Sequence, residues 1–106
     1  MFYYKVIRSN LTSVGLLGAR RIQYKIGEWV YPGEPLSDHP KKGGGLWVVR
    51  TGSAAREYRR YVLKEHGIKA RIFRCEIGKV LYDTSKIYPT SRRIKTDMVK
   101  LVEEVD

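Results

Sequence analysis

One stretch of the sequence carries the marks of a principal helix with signals at both of its ends, and this limits the fold more than anything else in it. Thr51-Gly52-Ser53 offers capping oxygens, Ala54 and Ala55 are strong helix formers, and Gly67 is a natural stop, so a helix is predicted over about residues 54–65. Ala54, Ala55, Tyr58, Tyr61 and Val62 recur at helical spacing and are expected to face a sheet, while Arg56, Arg60 and Lys64 share another face.

Most of the remaining patterned sequence has the period of a strand. Phe2 to Arg8 alternates and is rich in aromatic and β-branched residues, and Arg21 to Ile26 alternates until Gly27. Leu46 to Arg50 reads as a buried strand and Ile68 to Ile77 as a long one, with Phe73, Cys75 and Ile77 opposite Ile72, Arg74 and Glu76. Lys79 to Tyr82 suggests a further short strand. Between these, Ser9 to Gly18 suits a short helical turn or an irregular connection, and Thr84 to Arg93 is a polar connection. From Trp29 to Gly45, Pro32, Pro35, Pro40 and several glycines predict a long surface loop. At Met98 to Val105 two periods compete, a helix behind Asp97 and a closing strand; the strand is preferred. The expected fold is a single α+β domain spanning residues 1–106, a mainly antiparallel twisted sheet with one principal helix packed on it.

Charge is the main pointer to function. The 106 residues carry a formal net charge of +10, and residues 41–74 hold ten basic side chains against two acidic ones. Such a concentration suits nucleic acid or another polyanion, although a solvated surface has the same composition. The candidate phosphate contacts are Lys41, Lys42, Arg50, Arg56, Arg59, Arg60, Lys64, Lys69, Arg71 and Arg74. The turn Thr51, Gly52 and Ser53, at a helix start, is a candidate anion pocket or an ordinary cap. Trp29, Tyr31 and Tyr88 are the aromatics expected to be exposed.

Other chemistries find less support. Lys41-Lys42-Gly43-Gly44-Gly45 puts its lysines before its glycines and leads into a strand, the reverse of a Walker phosphate loop, so the glycines read as a hinge or a close backbone approach. Cys75 is the only cysteine and reads as a small core residue, while His39 and His66 lack ligand spacing, so no metal is expected. Ser37-Asp38-His39 has the residue types of a hydrolytic triad without its geometry, and Glu28, Glu57 and Glu76 are isolated acids. No apolar run reaches the ~20 residues of a membrane span, and the alternating amino terminus is unlike a secretion signal, so a cytoplasmic protein with no membrane partner is expected. Asn10 and Gln23 are the only side-chain amides among abundant charges, a composition expected of a thermophile.

In their order along the chain, Tyr3-Tyr4-Lys5-Val6-Ile7, Ser13-Val14-Gly15-Leu16, Gly45-Leu46-Trp47-Val48-Val49, Ala54-Ala55-Arg56-Glu57-Tyr58 and Arg71-Ile72-Phe73-Arg74-Cys75-Glu76-Ile77 give a layout that resembles small ADP-ribosyltransferase-like domains. The chain is similar, too, to short phage and archaeal proteins with a Tyr-Lys start, a Tyr24-x-Ile26-Gly27 turn and a segment like Ile94-Lys95-Thr96-Asp97-x-Val99-Lys100-Leu101-Val102. The first resemblance implies a nicotinamide adenine dinucleotide (NAD) site. The family's first-strand His or Arg would correspond to Tyr4 or Lys5, with Arg8 close by, its second-motif residue to Trp47 or Thr51, and its late Glu to Glu76.

The leading expectation is a non-enzymatic module, without cofactor, that binds nucleic acid or another phosphorylated partner. The alternatives are an ADP-ribosyltransferase-like domain holding NAD and a structural or assembly protein, for instance viral.

Overall fold

The protein is described by a computed structural model covering residues 2–14, 21–39, 44–88 and 90–105. The alternating segments form strands β1 (Tyr3–Arg8), β2 (Trp29–Val30), β3 (Leu46–Val49), β4 (Ala70–Ile77), β5 (Val80–Asp83), β6 (Arg93–Thr96) and β7 (Val99–Val105). The one helix signal becomes α1 (Gly52–His66), and a short 3₁₀ turn covers Thr84–Lys86. Among the described residues the strands make a single seven-stranded sheet in the order β2-β7-β4-β1-β3-β6-β5, every pair antiparallel. This is the expected α+β fold. Of residues 98–105, Val99–Val105 settle as strand, because Val99 and Leu101 are fully buried and pair along β4.

β1 occupies the middle. Both β3 and β4 run antiparallel to it, and are therefore parallel to each other, so α1 carries the chain from one to the other across β1. The pleat of β1 divides the core in two. Val6 points to the side of α1 and packs with Ala55 and Ile72, while Ile7 points the other way and joins Leu46, Val48, Phe73, Cys75, Ile94, Val99 and Leu101.

That second side is roofed by irregular chain, and here the sequence reading needs correction. Residues 21–26 are not a strand, and Gln23 makes only one isolated bridge, to Thr12. The segment is clipped to the turn after β1 by Tyr24 N–H to the Leu11 carbonyl at 2.8 Å and Ser13 N–H to the Ile22 carbonyl at 3.0 Å. The Gln23 side-chain amide donates to the carbonyls of Asn10, Leu11 and Tyr24. Tyr24 can then drop its whole ring into the core, where it is 0% exposed. Two other elements also differ from expectation. Trp29–Val30 leaves the predicted loop to pair with β7, and Arg93–Thr96 forms β6 at the end of what reads as a polar connection. Part of the segment Ser9 to Gly18 lies outside the described residues; residues 9–14 are an irregular connection in which Leu11 takes a positive φ of 64°.

Cys75 is buried, as its place on the strand suggested. Lys5 is the unexpected occupant of the same side. Its Nζ donates to the Trp47 carbonyl at 2.7 Å and lies 5.5 Å from the centre of the Tyr24 ring, with the residue only 8% exposed. Removal from water disfavours the ammonium and lowers its pKa from 10.5 to about 8, and the same burial pushes the Cys75 thiol up to about 12.

The pH dependence follows from the direction of each shift. Between about pH 8 and 10.5 the folded chain has released the Lys5 proton and the unfolded chain still holds it, so stability from this group rises with pH. Cys75 works in the opposite sense above its ordinary value of 9.0, because only the unfolded thiol can ionise there. The interval from pH 8 to 9 therefore isolates Lys5. Over it the native chain should gain about 1 kcal/mol relative to Lys5→Met in urea titrations. Parallel stability curves for the two proteins would mean that Lys5 is solvated.

Candidate nucleic-acid interface

The site is organised by α1. Thr51 caps its start, the hydroxyl accepting from Ala54 N–H at 3.1 Å, and Gly67 ends it in the left-handed conformation at φ 65°. The buried residues of the helix are Ala55 and Val62, two turns apart on one stripe. Tyr58 and Tyr61 do not face the sheet as expected: they are 40% and 52% exposed. At ~100° per residue they fall to one flank of the Ala55–Val62 stripe, and Arg56, Arg60 and Leu63 fall to the other. Small Ala55 lets the helix backbone approach the sheet, which leaves the bulky rings at its margin.

On the basic flank, Arg56, Arg59, Arg60 and Lys69 converge with Leu63 and Ala70 on a groove of about 420 Å³. The other cations named from the sequence are placed elsewhere. Lys64 lies exposed in the last turn of α1. Arg50 is held by the Asp83 carboxylate at the end of β5. Arg71 makes a two-pronged pair with Glu104, at 3.0 and 2.8 Å, and Arg74 pairs with Glu103 at 3.2 Å while stacking on Phe2. The pleat sends Arg71 and Arg74 to opposite sides of the sheet, so they cannot act on one ligand surface. Lys41 and Lys42 lie outside the described residues. At the helix start Arg56 extends back beside Gly52, and the hydroxyls of Thr51 and Ser53 are 3.3 Å apart. Thr51 is engaged in capping, the ordinary one of its two sequence readings.

On the aromatic flank lies a larger feature that the sequence reading did not assemble, a cleft of about 1040 Å³. Tyr4, Trp47 and Val49 belong to its floor, Tyr58 and Tyr61 of α1 to one wall, and Tyr31 and Arg92 also line it. The guanidinium of Arg93 lies 4.3 Å from the centre of the Trp47 ring. The Tyr58 and Tyr61 rings are 6.3 Å apart and nearly parallel, at 25°. The signal that would have found this site is the alternation of Arg93-Ile94-Lys95-Thr96, hidden behind the polar run before it. Of the aromatics named as exposed, Tyr31 and Tyr88 are 62% and 67% exposed, and Trp29, at 38%, lies under Lys100.

Residues singled out by the transferase resemblance separate. Tyr4 and Trp47 share the cleft, and Lys5 lines it while its ammonium is spent on the Trp47 carbonyl. Arg8 donates to the carbonyls of Ser13 and Val14. Thr51 is the helix cap, and Glu76 pairs with Lys100 at 2.9 Å toward the β7 side of the sheet. Ser37 accepts the backbone N–H of His39 at 3.1 Å, a local turn contact. Among the described residues no cluster of three or more His, Cys, Asp or Glu side chains could hold a metal ion, and no helix is long and apolar enough to cross a membrane.

No family model matches the chain, and neither a curated protein nor a solved structure matches it.

Of the three central glycines Gly43 lies outside the described residues, and Gly44 and Gly45 each have a clear structural demand. Gly44 has φ 91°, its carbonyl accepts from Ser37 N–H at 3.0 Å, and a Cβ there would overlap the Pro35 carbonyl. A Cβ on Gly45 would meet the aliphatic stem of Lys95, whose ammonium donates to the His39 carbonyl at 2.9 Å. Gly44 thus serves a close backbone approach that ties loop 31–39 to the start of β3, and Gly45 makes room for the Lys95 side chain. Gly44→Ala should lower the urea midpoint by an amount corresponding to about 1–3 kcal/mol. An unchanged midpoint would show that the loop is not docked in this way.

Proposed function

We propose that this protein is a non-catalytic module that binds nucleic acid, or another phosphorylated partner, through the basic flank of α1. The observation that carries the reading is the meeting of Arg56, Arg59, Arg60 and Lys69 on one groove, in a chain whose formal net charge is +10. Cations held together on a concave surface neutralise successive phosphates and release their counterions, which gives affinity without sequence preference. α1 supplies a rigid support, since Ala55 and Val62 fix its distance from the sheet. Arg50, Arg71 and Arg74 contribute little, because each already has a carboxylate partner.

Electrophoretic titration against DNA and RNA at two salt concentrations tests the proposal. Affinity should fall steeply with salt and vary little with base sequence. Replacing Arg56, Arg60 and Lys69 together with glutamine should flatten the log–log salt slope by about two for a single strand. Arg71→Gln should leave the slope unchanged. Binding that ignores ionic strength, or that is lost equally in both variants, would refute the assignment.

A further inference from the structure

The aromatic cleft on the opposite flank of α1 has a composition that phosphate binding alone does not explain. We infer that it receives unpaired bases, and that the protein therefore takes single-stranded nucleic acid in preference to duplex, an inference that rests on the phosphate-binding reading above.

Three observations carry it. First, the rings are available: Tyr58 and Tyr61 line the cleft and keep 40% and 52% of their surface exposed, although burying them against the sheet would be favourable. Second, the surfaces are flat and cationic. Arg93 lies on the Trp47 ring at 4.3 Å, and Tyr58 and Tyr61 lie 25° from parallel, so the cleft offers a guanidinium plane and π-faces of the kind on which bases stack. Third, the surroundings are basic. Arg92 and Arg93 are exposed along the cleft, which Arg21 also lines against Glu34 and Glu57, so a phosphate next to a stacked base meets guanidinium groups at the Arg92–Arg93 side.

The cleft, at about 1040 Å³, is at the upper end of the ~300–1,000 Å³ that small-molecule-sized groups occupy, enough for a base together with its sugar and phosphate. A duplex keeps its bases stacked and presents only their edges, in its grooves, so it has no ring face to offer a concave wall. It can reach the basic groove and not the cleft. A single strand crossing the exposed back of α1 can reach both, because the helix with its side chains is only ~10–12 Å across.

The experiment uses the full chain with Trp29→Phe, so that Trp47 is the only tryptophan and reports on the cleft. A deoxyadenosine homopolymer, a mixed-sequence duplex of the same length and free adenosine monophosphate are titrated in turn, following fluorescence and anisotropy. The single strand should bind about tenfold more tightly than the duplex and quench Trp47, which the duplex should leave unchanged. Tyr58→Ala with Tyr61→Ala, both exposed and so compatible with folding, should bring single-strand affinity down to that of the duplex and leave duplex binding intact. Circular dichroism confirms that the variant is folded. Equal affinity for strand and duplex without quenching overturns the base site while the phosphate reading stands. Quenching by adenosine monophosphate as strong as by the strand makes the cleft a free-nucleotide site and overturns the strand inference. Absence of binding to any of the nucleic acids removes both readings.

Discussion

Among the described residues a seven-stranded sheet meets a single α-helix, the two do not match in area, and this mismatch governs the molecule. Strands lie ~4.8 Å apart, so seven span ~29 Å, whereas a helix with its side chains covers ~10–12 Å. α1 packs mainly over β4, β1 and β3. Among the described residues no second helix covers the rest of that side of the sheet, and β3 and β6 place Trp47 and Arg93 beside that margin. The cleft is what one helix leaves behind. Of its lining, Tyr31, Tyr58, Tyr61, Arg92 and Arg93 are exposed.

The other side of the sheet is closed by different means. Its apolar residues are covered by chain with little regular structure, which must satisfy its own backbone and still deliver large side chains inward. The turn after β1 and the segment carrying Tyr24 do this by bonding to each other, through the backbone groups of Leu11, Ser13, Ile22 and Tyr24. The cost shows in the core: the Tyr24 hydroxyl is buried without a hydrogen-bond partner among the described residues, and Lys5 is held in a low-dielectric setting by one carbonyl. Because that carbonyl belongs to Trp47, the buried lysine also fastens β1 to the strand that carries the cleft's main ring.

How much of this was legible depends on whether a local period or a tertiary contact decided the outcome. β1, β3, β4 and α1 follow from alternation, capping and helical spacing, all properties of a few adjacent residues. Residues 21–26 have the same alternation and still do not form a strand, because the side-chain amide of Gln23 and the whole ring of Tyr24 are better satisfied off the sheet. β6 was hidden for the converse reason: its arginine and lysine make it look like a loop, and only pairing with β3 turns Lys95 into a buried residue at 1% exposure. Four of the cations named from the sequence meet on one groove, but the list could not show that Arg50, Arg71 and Arg74 are matched with acids 30 or so residues away. Ion pairing between distant segments leaves no periodic trace.

The run Arg56-Glu57-Tyr58-Arg59-Arg60-Tyr61 shows how one short sequence can serve two surfaces. Read linearly, cationic and aromatic residues are interleaved, and nothing separates them. Wound at ~100° per residue, the same run is sorted: Tyr58 and Tyr61 fall toward the cleft, Arg56 and Arg60 toward the groove, with Ala55 and Val62 between them against the sheet. The sorting depends on a small residue at position 55, because a bulky one would lift the helix and roll one flank out of reach of its surface. An otherwise unremarkable alanine thus fixes the separation of charge from aromatic surface on which both proposed roles of α1 rely.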